Sequence, residues 1–207
     1  MDYTAGNPGV VEDLGTVNLY DIDGTSEFAV AVSWVGAYVH DGTDWTYEQL
    51  PNNAQISSVW VGDSVVIAVG EDGAILQRSG AEWTTMTSPT TDNLHAVHGT
   101  SDSSVYAVGE DGTVIHYNGT EWSTLVSGTT INLWGVWAAP SGEAFIVGNN
   151  GTALQYVTPA ADAEEGETGF TVLPTGIDAN LYAVSGTALN NVWAVGNRGA
   201  VVQFSAE

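Results

Sequence analysis

A unit of about 38 residues recurs five times along this chain, and repeats of that length decide an architecture before any single residue is interpreted. The clearest copy reads Asn93-Leu-His-Ala-Val-His-Gly99, then Val105-Tyr-Ala-Val-Gly-Glu-Asp-Gly112, then Thr113-Val-Ile-His-Tyr-Asn-Gly119, then Glu121-Trp122-Ser-Thr-Leu125. Its opening apolar residue returns at Leu19, Ile56, Leu94, Leu133 and Leu181, in steps of 37, 38, 39 and 48 residues. A glycine after the second run returns at Gly36, Gly73, Gly112, Gly151 and Gly199. Trp45, Trp83, Trp122 and Phe170 each stand ten residues before Gln55, Asn93, Asn132 and Asn180. Three markers in one register exclude coincidence.

Within each unit, four short runs of β-branched and aromatic residues are separated by Gly, Asp, Asn and Ser, with turns such as Glu71-Asp72-Gly73 and Asn149-Asn150-Gly151 between the inner runs. That pattern predicts a four-stranded antiparallel meander. Such a meander has two apolar faces and cannot bury them alone, so the units must stack as radial blades. The expected fold is therefore all-β: a five-bladed β-propeller of four-stranded antiparallel blades in a single domain, 1–207. The blades fall at about 17–51, 54–90, 92–130, 131–174 and 180–204, the last completed by 8–14. The fifth unit stops at Gln203-Phe204 after three runs, and Val10–Leu14 precede the first unit where a fourth strand should stand. The N-terminal strand is thus expected to close the ring and remove an open edge. Pro8 occupies the tryptophan register, which makes that strand short and irregular. The acidic run Thr158–Glu167 is expected as a loop protruding between the third and fourth strands of blade four.

Charge limits the partners. Twenty-five acidic residues face only Arg78 and Arg198, with no lysine, for a formal charge of -23. Such a surface repels phosphate backbones, which excludes nucleic acid. Self-repulsion on this scale is relieved in molar salt, where the Debye length falls to about 3 Å, and this points to a high-salt habitat. No apolar run reaches the roughly 20 residues of a spanning helix, and Met1-Asp2-Tyr3 has neither the basic start nor the apolar stretch of a secretory signal. The expectation is no membrane insertion, and a cytoplasmic stage before assembly at a virion or cell surface.

The phrases Leu-x-Ala-Val-x-Gly at 94–99, Val-Tyr-Ala-Val-Gly-Glu-Asp-Gly at 105–112 and His-Tyr-Asn-Gly-Thr-Glu-Trp at 116–122 resemble the short-blade propeller repeats of bacterial and archaeal extracellular proteins, including those similar to photosystem assembly factors. The resemblance covers almost the whole chain. Asp41-Gly-Thr-Asp-Trp45 and Asn118-Gly-Thr-Glu-Trp122 resemble the Asp-box turns of sialidase-type propellers, with one residue fewer between Asp and Trp. A five-blade count resembles the tachylectin-type lectins, which would imply glycan binding.

Signals for catalysis are poor. There is no cysteine, no glycine-rich phosphate loop before a helix, and no arginine cluster. His95 and His98, three apart on a strand, point to opposite faces and cannot jointly chelate. His116 stands where other units carry Gln77, Gln155 and Gln203, a structural polar position. Asp21 and Asp23 share one strand face before Gly24, so calcium could be held there with loop carbonyls; no other cofactor is suggested. Asn118 and Asn150 head formal glycosylation sequons, but both sit where a turn wants Asn-Gly. Asn18, Asn93, Asn132 and Asn180, at the lead-in to the inner strand, are expected to bond local backbone.

The informative positions are those that vary while the scaffold stays fixed. After the opening Leu or Ile come Tyr20, Ser57, His95, Trp134 and Tyr182, and three residues further on Asp23, Trp60, His98, Trp137 and Ser185. Aromatic rings with a polar handle suit sugar faces and protein hot spots, and inner-strand aromatics also wedge between blades. Tyr20, His95, Trp134, Trp137 and Tyr182 are the candidate ligand-binding residues. Together these features lead to a non-enzymatic recognition or attachment module of a halophilic system, such as a virion spike, turret or tail protein. Its partners would be a cell-surface protein or glycan and other structural subunits. A monosaccharide-binding lectin and an intracellular assembly scaffold are the alternatives.

Overall fold

A computed structural model describes residues 17–160, 162 and 168–204. Five antiparallel sheets follow the five repeats. Blade one is β1 (Leu19–Gly24), β2 (Ala29–Ser33), β3 (Gly36–His40) and β4 (Trp45–Glu48). Blade two is β5 (Ile56–Val61), β6 (Val66–Gly70), β7 (Ile75–Ser79) and β8 (Glu82–Thr85), and blade three is β9 (Leu94–Ser101), β10 (Ser104–Gly109), β11 (Val114–Tyr117) and β12 (Trp122–Leu125). Blade four is β13 (Leu133–Ala138), β14 (Ala144–Gly148), β15 (Ala153–Tyr156) and β16 (Phe170–Val172). Blade five has three strands among the described residues: β17 (Leu181–Ala188), β18 (Asn191–Gly196) and β19 (Val201–Phe204).

The second strand of each blade explains the architecture best. Its runs, Ala-Val-Ala-Val in β2 and Val-Ile-Ala-Val in β6, are apolar at every position instead of alternating, because an inner blade is covered on both faces. The core accordingly divides into clusters between blades. Val30, Val32, Ala37 and Val39 of blade one meet Val59, Ala68 and Leu76 of blade two. Ile67, Val69 and Ile75 of blade two meet Leu94, Val97 and Ala107 of blade three, and the pattern repeats onward to blade five. The first strands, β1, β5, β9, β13 and β17, lie successively against one another.

In blades two to five a three-residue turn follows the second strand. Its middle residue is left-handed (Asp72, Asp111, Asn150 and Arg198, φ 53, 51, 56 and 54°), and the glycine after it is left-handed too. Blade one departs from this: Gly36 follows the second strand as its repeat position requires, but the turn there is only Trp34-Val35, and Gly36 opens β3 opposite Ser33. Gly36 is needed because a Cβ would stand 2.3 Å from the Tyr47 ring. The lead-in asparagines reach further than local backbone. Asn93, Asn132 and Asn180 accept through Oδ1 the N–H groups of Asp72, Asp111 and Asn150 at 2.9, 3.2 and 3.0 Å, tying each blade to the turn of the one before.

Closure is a separate matter. Val10–Leu14 lie outside the described residues, and β17 and β1 are not packed against one another as the other first strands are. The described blade faces at the two ends are exposed in part: Ile22 is 61% exposed although Ala31 opposite it is buried, and Trp193, Val195 and Val201 are 44, 47 and 62% exposed. Among the described residues, no helix is long and apolar enough to cross a membrane.

Of the two arginines, Arg78 is neutralised by Glu48 at 2.7 Å, so it offsets none of the remaining acidic charge. The melting temperature should therefore rise from low to molar salt, by about 2–4 °C for each kcal/mol of repulsion screened. Chloride and sulfate should be compared, since sulfate also strengthens apolar burial. A melting temperature unmoved by chloride would remove the inference of salt adaptation.

Candidate recognition site

The second residues of the inner strands do not form one uniform ring. In blades three to five they form a continuous aromatic row. His95 stacks on Trp134 with ring centroids 4.0 Å apart and planes 17° apart, and Trp134 meets Tyr182 edge-on at 6.1 Å. Trp134 Nε1–H donates to Asn149 Oδ1 at 2.7 Å, which fixes the ring from the turn of its own blade. Asn149 was not singled out by sequence; the available signal was that blade four replaces the Glu-Asp-Gly turn of blades two and three with Asn-Asn-Gly. In blade two the same position is Ser57, whose hydroxyl donates to the Leu94 carbonyl at 2.5 Å and joins blade two to blade three. Tyr20 stands apart, stacked on Trp34 at 5.3 Å.

His95 carries the polar chemistry of the row. Its Nε2 is buried and has no hydrogen-bond partner among the described residues, an unusual state for a buried nitrogen. Burial pushes its pKa below the ordinary imidazole value, and the charge of Glu110 opposes that only in part. At neutral pH the ring is therefore neutral, a flat stacking surface for Trp134. Tyr182 is 47% exposed at the far end of the row, so the row has one solvent-facing aromatic and one recessed polar atom.

The third-on positions behave differently. Trp137 is 7% exposed, packed against Phe145 and over Gly186, where a Cβ would lie 2.9 Å from its ring; it is part of the interior between blades four and five and stands off the exposed row. Trp60 fills the same position one blade pair earlier, over Gly99. At the junctions of blades one and two and of blades three and four, a hydrogen bond takes the place of the ring. Asp23 Oδ2 accepts the Val61 N–H at 2.7 Å, and His98 Nδ1 accepts the Ala138 N–H at 3.1 Å. Burial holds the His98 pKa down, despite the charge of Asp23, which keeps that nitrogen free to accept.

The candidate calcium pair takes part in bonds of the same kind. Asp21 Oδ2 accepts from Ser58 Oγ at 2.7 Å and from the Val59 N–H at 3.0 Å, so both carboxylates are tied to β5. Among the described residues no three His, Cys, Asp or Glu side chains gather where a metal ion could be held. His116 lies against Tyr106 at 4.4 Å, within 3.4 Å of Ser104 Oγ, as a structural polar residue would. Asn118 Oδ1 accepts the N–H groups of Thr120 and Glu121, and Asp41 Oδ1 does the same with Thr43 and Asp44. The two segments that resemble Asp-box turns thus share one local geometry.

No family model matches the chain, and no curated protein does. Solved structures do. YCF48 bound to D1 peptide superposes with a TM-score of 0.65 at 18% identity, covering 90% of this chain and 62% of that one. YCF48 from Cyanidioschyzon merolae superposes with a TM-score of 0.69 at 12% identity, covering 95% and 72%. At these identities the likeness shows the fold, a β-propeller built of four-stranded blades. The chain spans about three fifths of the first of these structures.

Proposed function

We propose that this chain is a non-enzymatic protein-recognition propeller whose partner segment lies along the row His95, Trp134 and Tyr182. The observation that carries this reading is the row itself: three rings from three successive blades in contact, with Tyr182 open to solvent at one end. Hot spots of protein interfaces have this composition, an aromatic anchor with a polar handle on a rigid support. The YCF48 structure that holds a D1 peptide supports a protein partner over a glycan, and so favours an assembly or scaffolding role over attachment to a host surface. The titratable groups that could have served chemistry hold blades together instead: Asp21, Asp23 and His98 bond neighbouring strands, and Glu48 pairs with Arg78. With a charge of -23, the chain draws a segment that carries basic residues beside an apolar one.

The test is selection of binders from a displayed peptide library in molar salt, followed by affinity measurements on the wild type and on Trp134→Ala. An aromatic or aliphatic anchor should be enriched, with Lys or Arg beside it only when the selection is repeated at low salt, and Trp134→Ala should weaken the binders by about 2 kcal/mol, roughly 30-fold. Saturable binding on a glycan array, unaffected by peptide, would favour the lectin reading.

A further inference from the structure

The turns that flank the aromatic row carry a graded charge. Glu71–Gly73 of blade two packs against β9, which carries His95; Glu110–Gly112 of blade three packs against β13, which carries Trp134; Asn149–Gly151 of blade four packs against β17, which carries Tyr182. In blades three and four the turn also reaches the row residue of its own blade. Asn149 holds the Trp134 ring through its Oδ1, and Glu110, at the same place in blade three, is near enough to His95 for its charge to act on that ring. His95 therefore stands between Glu71-Asp72 and Glu110-Asp111, and Trp134 between Glu110-Asp111 and Asn149-Asn150. Beyond Tyr182 the turn of blade five is Asn197-Arg198-Gly199. From blade two to blade five the flanking charge passes from acidic through neutral to basic.

The chain has two cationic side chains, and neither stands at the acidic end: Arg78 is bound to Glu48, and Arg198 belongs to blade five. His95 is neutral at neutral pH, because burial lowers its pKa. Asp72 and Asp111 are exposed, whereas Glu71 and Glu110 are half-buried beside the row. Carboxylates so placed are less screened than the same charges on open surface, so a cation set between them is held more firmly.

We infer that this gradient makes the row selective for one charge order: a lysine or arginine of the partner segment lies beside His95, between Glu71 and Glu110, while the apolar residue of the same segment lies on Trp134 and Tyr182. Glu110 is the main specificity-determining residue, because it borders both His95 and Trp134, where the basic and the apolar parts of the segment meet. This selectivity rests on the row being the recognition surface, and adds to it the sign and place of the charge that it takes. A uniformly acidic surface would draw basic segments without placing them. The exchange of Glu-Asp for Asn-Asn between the turns of blades three and four is what places them.

The probe is a displayed peptide library, selected at the lowest chloride concentration at which thermal melts show the full-length wild type folded. Binders that pair Lys or Arg with an apolar anchor are titrated against the wild type, Glu110→Gln, Glu71→Gln, Glu121→Gln and Trp134→Ala. Glu121 is an exposed carboxylate in the turn between β11 and β12, so its variant loses the same charge away from the row. Glutamine keeps the shape of each side chain and leaves the backbone bonds of the turns, from Glu71 N–H to the Gln55 carbonyl and from Glu110 N–H to the Asn93 carbonyl, in place. Glu110→Gln should weaken these binders about 2- to 5-fold, the range of a solvated ion pair, with a shallower salt dependence, and Glu71→Gln should act in the same direction, while Glu121→Gln leaves them unchanged. Binders with an apolar anchor and no basic residue should hold equally to the wild type and Glu110→Gln. Equal weakening by Glu110→Gln and Glu121→Gln would overturn the inference in favour of a bulk charge effect, as would a low-salt selection that enriches no basic residue. A loss with Trp134→Ala but none with Glu110→Gln would overturn it and leave the row as the recognition surface. No loss with Trp134→Ala would overturn the row itself, and the charge order with it.

Discussion

Trp137→Ala should cost the fold about 3–5 kcal/mol, the range for emptying a buried tryptophan site, and lower the melting temperature by about 6–20 °C. The void cannot collapse easily. Its floor is Gly186, which has no side chain to move inward, and its wall is Phe145, already packed against Phe204 at 6.1 Å between centroids. Trp134→Ala, three residues earlier, removes a ring that lies along the surface row, so its effect should fall mainly on binding. Urea unfolding of both variants checks the contrast. Equal losses of stability would mean that the row is as much a part of the core as Trp137.

Glu48→Ala should destabilise by about 1–3 kcal/mol, the cost of leaving the charged partner of a partly buried ion pair unsatisfied. Arg78 grips both oxygens of this carboxylate, Nε at 2.8 Å and Nη2 at 2.7 Å, while Trp83 Nε1–H donates at 2.6 Å. The guanidinium also lies 5.6 Å from the Phe28 ring, and its side chain is only 11% exposed, so water replaces only part of what is lost. Glu48→Ala combined with Arg78→Met should recover most of the stability, because removing both charges leaves none uncompensated. Burial alone would raise the Glu48 carboxyl, but the hydrogen bonds from Arg78 and Trp83 and the Arg78 charge outweigh it and hold the group below the usual carboxylate value. The sign follows: this contribution is complete above the unfolded carboxylate value and disappears only as pH falls through the depressed folded one. A double variant no more stable than Glu48→Ala would refute the account of the pair.

The blade count, the strand order and the turns were legible in the chain because they depend on local periodicity. Repeated Leu, Gly and Trp landmarks set each meander, and Asp-Gly or Asn-Gly marks where left-handed residues are tolerated. In blade one the Trp34-Val35 turn is one residue shorter, so Gly36 still follows the second strand but opens β3 instead of ending the turn.

What varied between repeats could not be interpreted one unit at a time. Asp23, Trp60, His98 and Trp137 occupy one position of the repeat, and each is matched to residue 61, 99, 138 or 186 of the next inner strand: a ring where that residue is glycine, a hydrogen-bond acceptor where it is Val or Ala. Sequence alone showed that the position varies; the packing of one blade on the next decided that this variation serves the junctions, while His95, Trp134 and Tyr182, one turn of the pleat away, meet at the surface. The exposure of the two end faces likewise belongs to tertiary structure. A repeat specifies both faces of every blade, but only the arrangement of whole blades in space decides which faces are left without a neighbour.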